Sequence, residues 1–181
     1  MSKRAVVVVD IQNEYSPSGK LPLVGIADAV ANAAKVIAAA RAKGDEVIYI
    51  RHEGAGAEAP IFTPGSTGVE INPAVQPAKG EPVIVKHYPN SFRDTELKQL
   101  LDAKGIKDVV IVGAMSHMCI DATSRAAADF GFNTTIVHDA CATRDLEFKG
   151  ATVPAAQVHA AFMAGLAFAY GKVTTTREYL G

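Results

Sequence analysis

Hydrophobic residues in this chain fall into short unbroken runs that alternate with longer amphipathic segments. The run at 5–9 reads AVVVV, and the run at 108–112 reads DVVIV. β-Branched runs without polar alternation are typical of strands buried on both faces, as in a parallel sheet. The pattern predicts strands at 5–9, 46–50, 82–86, 108–112, 133–137 and 173–175.

Apolar residues at helical spacing fill most of the intervals between these strands. They predict helices at 26–43, at 96–103, from Cys119 to about 129, and at 155–170. Strands alternating with helices indicate an α/β fold. We therefore predict one domain, 1–181, with a doubly wound parallel sheet of about six strands in a Rossmann-like three-layer α/β/α arrangement. The connection from 51 to 82 is long, and such loops usually cover a site or carry function.

The helix predicted at 155–170 is almost wholly apolar along its length. A helix that is hydrophobic all round must be buried, and this one exceeds what a single sheet face needs for cover. The chain is therefore predicted to form a homo-oligomer, a dimer or higher, with this helix in or near the interface.

Composition narrows the classes of function. Charged residues make up 20% of the 181 residues and the net charge is −1, without a basic patch or acidic tail, so neither nucleic acid nor a membrane is expected as a partner. No apolar run reaches transmembrane length or resembles a signal peptide, and only two cysteines are present, which favours the reducing cytoplasm. The five histidines are scattered without HxH or HExxH spacing, so no metal or other cofactor is predicted.

Three predicted strands end in, or lead to, chemically useful side chains. Asp10 follows the first strand, Lys86 ends the third, and Cys119 follows the fourth at the start of a helix. In an open α/β sheet these carboxyl ends share one edge, where sites form, and a nucleophile beside an acid–base pair suits covalent catalysis. A helix start and a nearby lysine would also lower the pKa of the thiol. Each residue equally allows a structural interpretation: a loop-capping aspartate, a rim lysine and a small buried cysteine.

Four motifs in order resemble the isochorismatase-like cysteine hydrolases. They are DxQN from Asp10, VIVKxxxNSFxxTxL from Val83, GxxSxxCIxxTxRxA from Gly113, and DACAT from Asp139 with a terminal VTTTxEYL. The resemblance covers essentially the whole chain.

The resemblance implies a catalytic triad of Asp10, Lys86 and Cys119. In such enzymes the aspartate takes the thiol proton and later activates water, and the lysine stabilises the thiolate. The cysteine attacks a carbonyl, expels ammonia or an amine, and forms a thioester. The family also places a cis peptide at Ala114–Met115, which aims the N–H groups of Met115 and Cys119 into an oxyanion hole.

Departures from the family patterns narrow the expected chemistry. The metal-binding nicotinamidase branch has an Asp-x-His pattern where this chain reads Arg51-His52-Glu53. We therefore expect no metal, and nicotinamide is disfavoured as a substrate. Relatives that act on isochorismate itself tend to lack the cysteine, because vinyl ether hydrolysis needs no acyl-enzyme. Cys119 therefore favours C–N hydrolysis of a small amide or ureido substrate. Ser116 stands where threonine is commoner.

Other positions are expected at or near the site. The predicted pocket residues are Gln12, Tyr15, His52, Phe92, Ser116 and His117, together with Met118. Tyr15 and Phe92 could equally be core aromatics, and His117 could be a subunit contact. Asp121 and Arg125 are interpreted as a local ion pair, Cys141 as buried filler and His159 as a hydrogen-bonded core or interface histidine. Two other functions stay open: an inactive binding module, and an ether hydrolase that uses Asp10 alone.

Overall fold

Six parallel strands form the centre of the protein, for which a computed structural model describes residues 3–181. The strands are β1 (Lys3–Val9), β2 (Glu46–His52), β3 (Val83–Lys86), β4 (Ile106–Ala114), β5 (Asn133–Ala142) and β8 (Lys172–Thr174). Their order across the sheet is β3-β2-β1-β4-β5-β8. The chain winds outward from β1 to β3 and returns to the other side of β1 at β4. The predicted α/β fold with a doubly wound parallel sheet is confirmed, and β1 and β4 flank its switch point.

Five helices cover the sheet: α1 (Ile26–Lys43), α2 (Leu97–Ala103), α3 (Asp121–Asp129), α4 (Ala155–Ala169) and α5 (Thr176–Leu180). α1 and α5 pack on one face, and α2, α3 and α4 pack on the other. Along β1, Val6 and Val8 face the α1 side while Val7 and Val9 face the α3 side, and all four are buried. Burial on both faces explains the unbroken apolar run.

Two elements at the C-terminal end were not predicted. A hairpin joins β6 (Leu146–Phe148) to β7 (Ala151–Val153) through Lys149 and Gly150, both with positive φ. Its strands have three residues each, too few for a period-2 pattern. Residues 178–180, for which no helix or strand was predicted, belong to α5. This helix begins with a capping box between Thr175 and Glu178.

Helix α4 is buried on one side only in this single chain, so its place in an oligomer interface stays a prediction. Val158, Met163 and Leu166 pack toward the sheet, but the opposite side lies open. Phe168 on that side is 92% exposed. Within residues 3–181, no helix is long and apolar enough to cross a membrane.

Candidate active site

Asp10 lies immediately after β1 at the carboxyl edge of the sheet, and its side chain is fully buried. Its φ of 51° is in the left-handed region, which a residue with a Cβ adopts at a cost. The Asp10 N–H donates to the Ile50 carbonyl at 3.0 Å, and the Asp10 carbonyl accepts from the Gln12 N–H at 2.9 Å. These bonds to neighbouring backbone hold the unusual conformation, which ends β1 and fixes the carboxylate inside the protein.

Lys86 ends β3 and is 1% exposed. Its Nζ lies 2.7 Å from Asp10 Oδ2 and 3.2 Å from Cys119 Sγ. Burial acts to lower the pKa of Lys86, but Asp10 and Cys119 outweigh it, and the net shift is upward. The ammonium group therefore keeps its charge at neutral pH. A buried ion pair contributes little net stability, because the cost of desolvating the two charges offsets their attraction. Its position beside a thiol therefore indicates a chemical role rather than a stabilising one.

The turn that carries Cys119 has an unusual backbone. Gly113 has a φ of 130°, and a Cβ built there would lie 1.9 Å from the Val9 carbonyl oxygen of β1, so no larger residue fits. The Ala114–Met115 peptide bond that follows is cis. Cys119 lies in a π-helical turn, Ser116–Ile120, rather than at the first residue of α3 as the sequence suggested. The Met115 carbonyl accepts from the N–H groups of Met118 and Ile120, at 3.0 and 3.2 Å, which closes the turn.

The thiol of Cys119 is 6% exposed and is protonated at rest. Burial first, and then the Asp10 carboxylate, raise the pKa of Cys119 to about 12, against the opposing effect of Lys86. The predicted lowering of this pKa is therefore wrong, because burial and a neighbouring anion outweigh one cation. A thiol of this kind needs a base at the moment of attack, and Asp10 is the anionic group beside it.

Gln12 secures the neighbouring strand end rather than lining an open pocket. Its Nε2 donates to the carbonyls of His52 and Val69, at 2.8 Å each, and its Oε1 accepts from the His52 N–H at 2.8 Å. The side chain is buried and its amide is occupied by these backbone contacts. The expectation that Gln12 contacts substrate is replaced by a role in holding β2 against the loop at 67–69.

The family is settled by comparison with known proteins. The sequence model of the isochorismatase domain matches residues 4–178. The chain belongs to the isochorismatase family. It is 46% identical to the uncharacterized isochorismatase family protein YddQ of Bacillus subtilis, over 97% of this chain and 98% of that one.

Solved structures agree with this membership. A candidate isochorismatase hydrolase from Oleispira antarctica superposes with a TM-score of 0.95 at 52% identity, covering 99% of this chain and 96% of that chain. N-carbamoylsarcosine amidase from Thermoplasma acidophilum superposes with a TM-score of 0.82 at 26% identity, covering 96% of each chain. This isochorismatase-family protein is accordingly a hydrolase.

The remaining predicted pocket residues of this family member divide between core and rim. Tyr15 is buried, with its ring edge-on to Phe62 at 5.2 Å. Burial, and secondarily electrostatic interactions with Cys119, Asp10 and Glu14, raise the pKa of Tyr15 well above its usual value. Phe92 packs against the rings of Phe130 and Phe132 at the core on the α3 side. Its role there is packing.

The π-helical turn is tied to the rest of the protein by its polar residues. Ser116 is fully buried, with its Oγ 2.8 Å from His159 Nδ1 of α4. His117 is half-buried, with its Nδ1 2.6 Å from Thr143 Oγ1. Met118 is more exposed than its neighbours. Ser116 therefore anchors the turn, and His117 and Met118 are the members of the turn that a ligand could reach.

The three structural assignments made from sequence agree with the contacts. Arg125 Nε lies 2.9 Å from both carboxylate oxygens of Asp121. His159 is hydrogen-bonded to Ser116. Cys141 is buried, and its thiol lies 3.4 Å from the Val137 carbonyl. Across residues 3–181, His, Cys, Asp and Glu side chains form no group of three or more that could hold a metal ion.

Sequence reasoning missed one side-chain contact at the site and one behind it. His52 Nδ1 lies 3.1 Å from Lys86 Nζ. Ser91 and Thr123 form a buried pair, with Oγ–Oγ1 at 2.8 Å, that joins the segment after Lys86 to α3. The contact between His52 and Lys86 could have been predicted, because the two residues are register partners on the neighbouring strands β2 and β3.

Proposed function

We propose that this protein is a cysteine hydrolase that cleaves the C–N bond of a small amide or ureido substrate through a thioester at Cys119. The observation that carries the proposal is the buried contact set of Lys86, whose Nζ lies 2.7 Å from Asp10 and 3.2 Å from Cys119. A thiol, a carboxylate base and a fixed cation within hydrogen-bonding reach are the parts of an activated nucleophile.

The proposed reaction begins with transfer of the Cys119 proton to Asp10. The sulfur attacks the substrate carbonyl, and the N–H groups of Met115 and Cys119 stabilise the resulting oxyanion. The C–N bond breaks as Asp10 returns the proton to nitrogen, so that ammonia or an amine leaves and a thioester remains. Asp10 then takes a proton from water, whose oxygen attacks the thioester, and the Cys119 thiolate leaves and recovers that proton. Lys86 stays protonated and stabilises the thiolate whenever it forms.

Two features support C–N hydrolysis over the alternatives. A protonated thiol beside a carboxylate suits acyl transfer, whereas ether hydrolysis through Asp10 alone would leave Cys119 unused. The amidase relative from Thermoplasma acidophilum has the same fold along almost its whole chain. An inactive binding module would have no need for a buried ion pair directed at a thiol.

The test is an ammonia-release screen over small amides and ureides. Wild type is compared with Cys119→Ala, and Cys141→Ala is the matched control, since Cys141 is also a buried cysteine. We expect release by wild type and by the control, and background rates with Cys119→Ala. Turnover that survives in Cys119→Ala would favour the ether hydrolase, and absence of turnover in wild type on every compound would favour the binding module.

We also propose that the protein works as a homo-oligomer in the cytoplasm. The open side of α4, with Ala160, Ala164 and Phe168 exposed, supports assembly through this helix. Two free cysteines support a reducing compartment. Sizing chromatography that gives a species of about 19 kDa, the mass of one chain, would contradict the assembly.

A further inference from the structure

Lys86 has a third partner in addition to the two triad residues. Its Nζ lies 3.1 Å from Nδ1 of His52, in addition to Asp10 and Cys119. An ammonium group has three N–H donors and no acceptor. The three contacts therefore use the full hydrogen-bonding capacity of Lys86, and the one to His52 is directed at a ring nitrogen.

The charge on Lys86 fixes the tautomer of His52. Because Lys86 can only donate, Nδ1 of His52 must accept, and the ring proton must lie on Nε2. Protonation of Nδ1 would remove the acceptor and place a second cation 3.1 Å from the ammonium. The neutral Nε2–H form is thus the only form of His52 that preserves the contact.

The position of His52 is fixed by its surroundings. Its N–H and carbonyl are both bonded to the Gln12 amide, and its ring is edge-on to Phe62 at 5.1 Å. It is also the register partner of Lys86 across the two strand ends. An acceptor held this firmly can fix the direction of the Lys86 side chain.

We propose that His52, as the neutral Nε2–H tautomer, is a positioning residue that holds the Lys86 ammonium between Asp10 and Cys119. The inference rests on the proposed function for its effect on turnover, but the contact itself can be measured without a substrate. Contacts to three fixed partners at 2.7, 3.2 and 3.1 Å restrict the ammonium to one location.

A pH dependence follows from this arrangement. Burial and then the charge of Lys86 lower the pKa of His52, with His87 acting in the same direction and Asp10 and Glu53 against it. The net shift is downward, so His52 is neutral at neutral pH and becomes protonated only in more acidic solution. Activity should therefore fall at acidic pH as His52 gains a proton and repels Lys86.

The first experiment is ¹⁵N NMR of the full chain labelled at histidine, with the His52 signals identified by their loss in His52→Asn. We expect an unprotonated Nδ1 and a protonated Nε2 at neutral pH. A protonated Nδ1 would overturn the proposal. This measurement gives a result even if no amide is hydrolysed, so it separates failure of this inference from failure of the proposed function.

The second experiment compares kcat and KM of His52→Leu and His52→Asn on a hit from the ammonia screen. Leucine removes the acceptor, and we expect kcat to fall on the order of tenfold or more with KM within about twofold, the scale of one lost bond to a charged donor. Asparagine can supply an oxygen near the Nδ1 position, so kcat should recover and the acidic fall in activity should move to lower pH. His138 lies in β5 with its ring 5.7 Å from the ring of His159, so His138→Asn is the control histidine substitution and should match wild type. Unchanged kcat in His52→Leu, or an effect confined to KM, would overturn the positioning role.

Discussion

The two cysteines of this protein are both buried, but Cys141 lies in a strand of the sheet and Cys119 in the π-helical turn that follows β4. Cys141 lies near the end of β5 and is the register partner of Gly113, the glycine that opens the turn to Cys119. Burial raises the pKa of both thiols to about 12. Only Cys119 has the Asp10–Lys86 pair beside it. Burial and pKa therefore do not distinguish the two thiols, and the neighbouring base and cation do.

Replacement of Asp10 by asparagine should have the largest effect, because it removes the carboxylate that distinguishes the surroundings of Cys119 from those of Cys141. Loss of the base should reduce turnover by about 10²–10⁴-fold. Asp10 raises the pKa of Cys119, so its neutralisation should lower that pKa and increase the thiolate fraction at neutral pH. Iodoacetamide should then alkylate Cys119 faster than in wild type while hydrolysis is lost. Slower alkylation would contradict the assigned direction, and Cys141 alkylation measured by peptide mapping is the internal control.

Lys86→Met should affect both turnover and stability. Removal of one partner of a buried pair leaves the other charge uncompensated, which typically costs about 3–5 kcal/mol of unfolding free energy. Denaturant unfolding measures the loss, and Lys104→Met, which breaks a surface pair with Glu46, should cost no more than about 1 kcal/mol. Equal losses of unfolding free energy in the two variants would show that burial adds nothing to the cost of breaking the Asp10–Lys86 pair.

Gly113→Ala should distort the turn that leads to Cys119. A Cβ there meets the Val9 carbonyl oxygen at 1.9 Å and the backbone has positive φ, so we expect destabilisation of at least about 1–3 kcal/mol. Gly165→Ala in α4 is the matched control, because a Cβ added at Gly165 would have Arg125 Nη2, at 3.6 Å, as its nearest neighbour. It should stabilise the helix by roughly 0.5–1 kcal/mol. Thermal unfolding of both variants checks the opposite signs.

Cys141→Ala should have the smallest effect. The substitution removes a buried sulfur that contacts the Val137 carbonyl, so a stability loss of about 1 kcal/mol is expected. Turnover should stay within about twofold of wild type, because Cys141 is bonded to the Val137 carbonyl and not to Asp10, Lys86 or Cys119. A large loss of turnover with intact stability would show that the two thiols are coupled.

The sequence predicts the sheet well because its information is local. The unbroken run at 5–9 requires burial on both faces, and β1 has it because β1 and β4 are the two central strands of the sheet. The β6–β7 hairpin has no such signal, since each strand has three residues and is mostly exposed. The apolar pattern of α4 predicts that a partner covers this helix, and the single chain leaves one side of it open, so what covers that side stays a prediction.

At the site, sequence reasoning locates residues better than it describes their environment. Asp10, Lys86 and Cys119 could be placed on one sheet edge because each follows a predicted strand, and the structure brings their side chains together. The upward pKa shift of Cys119 depends on depth of burial, which no local pattern encodes. The bonds from Gln12 to His52 join residues 40 positions apart and appear only in the folded chain.

The most direct test of the proposed thioester mechanism is capture of the acyl-enzyme. Wild type is mixed with excess of a substrate from the amide screen, quenched in acid during turnover, digested and mapped by mass spectrometry. We expect the acyl group of the substrate on the peptide that contains Cys119 and none on the peptide that contains Cys141. Ammonia release at the wild-type rate by Cys119→Ala, with neither peptide acylated in wild type, would contradict it.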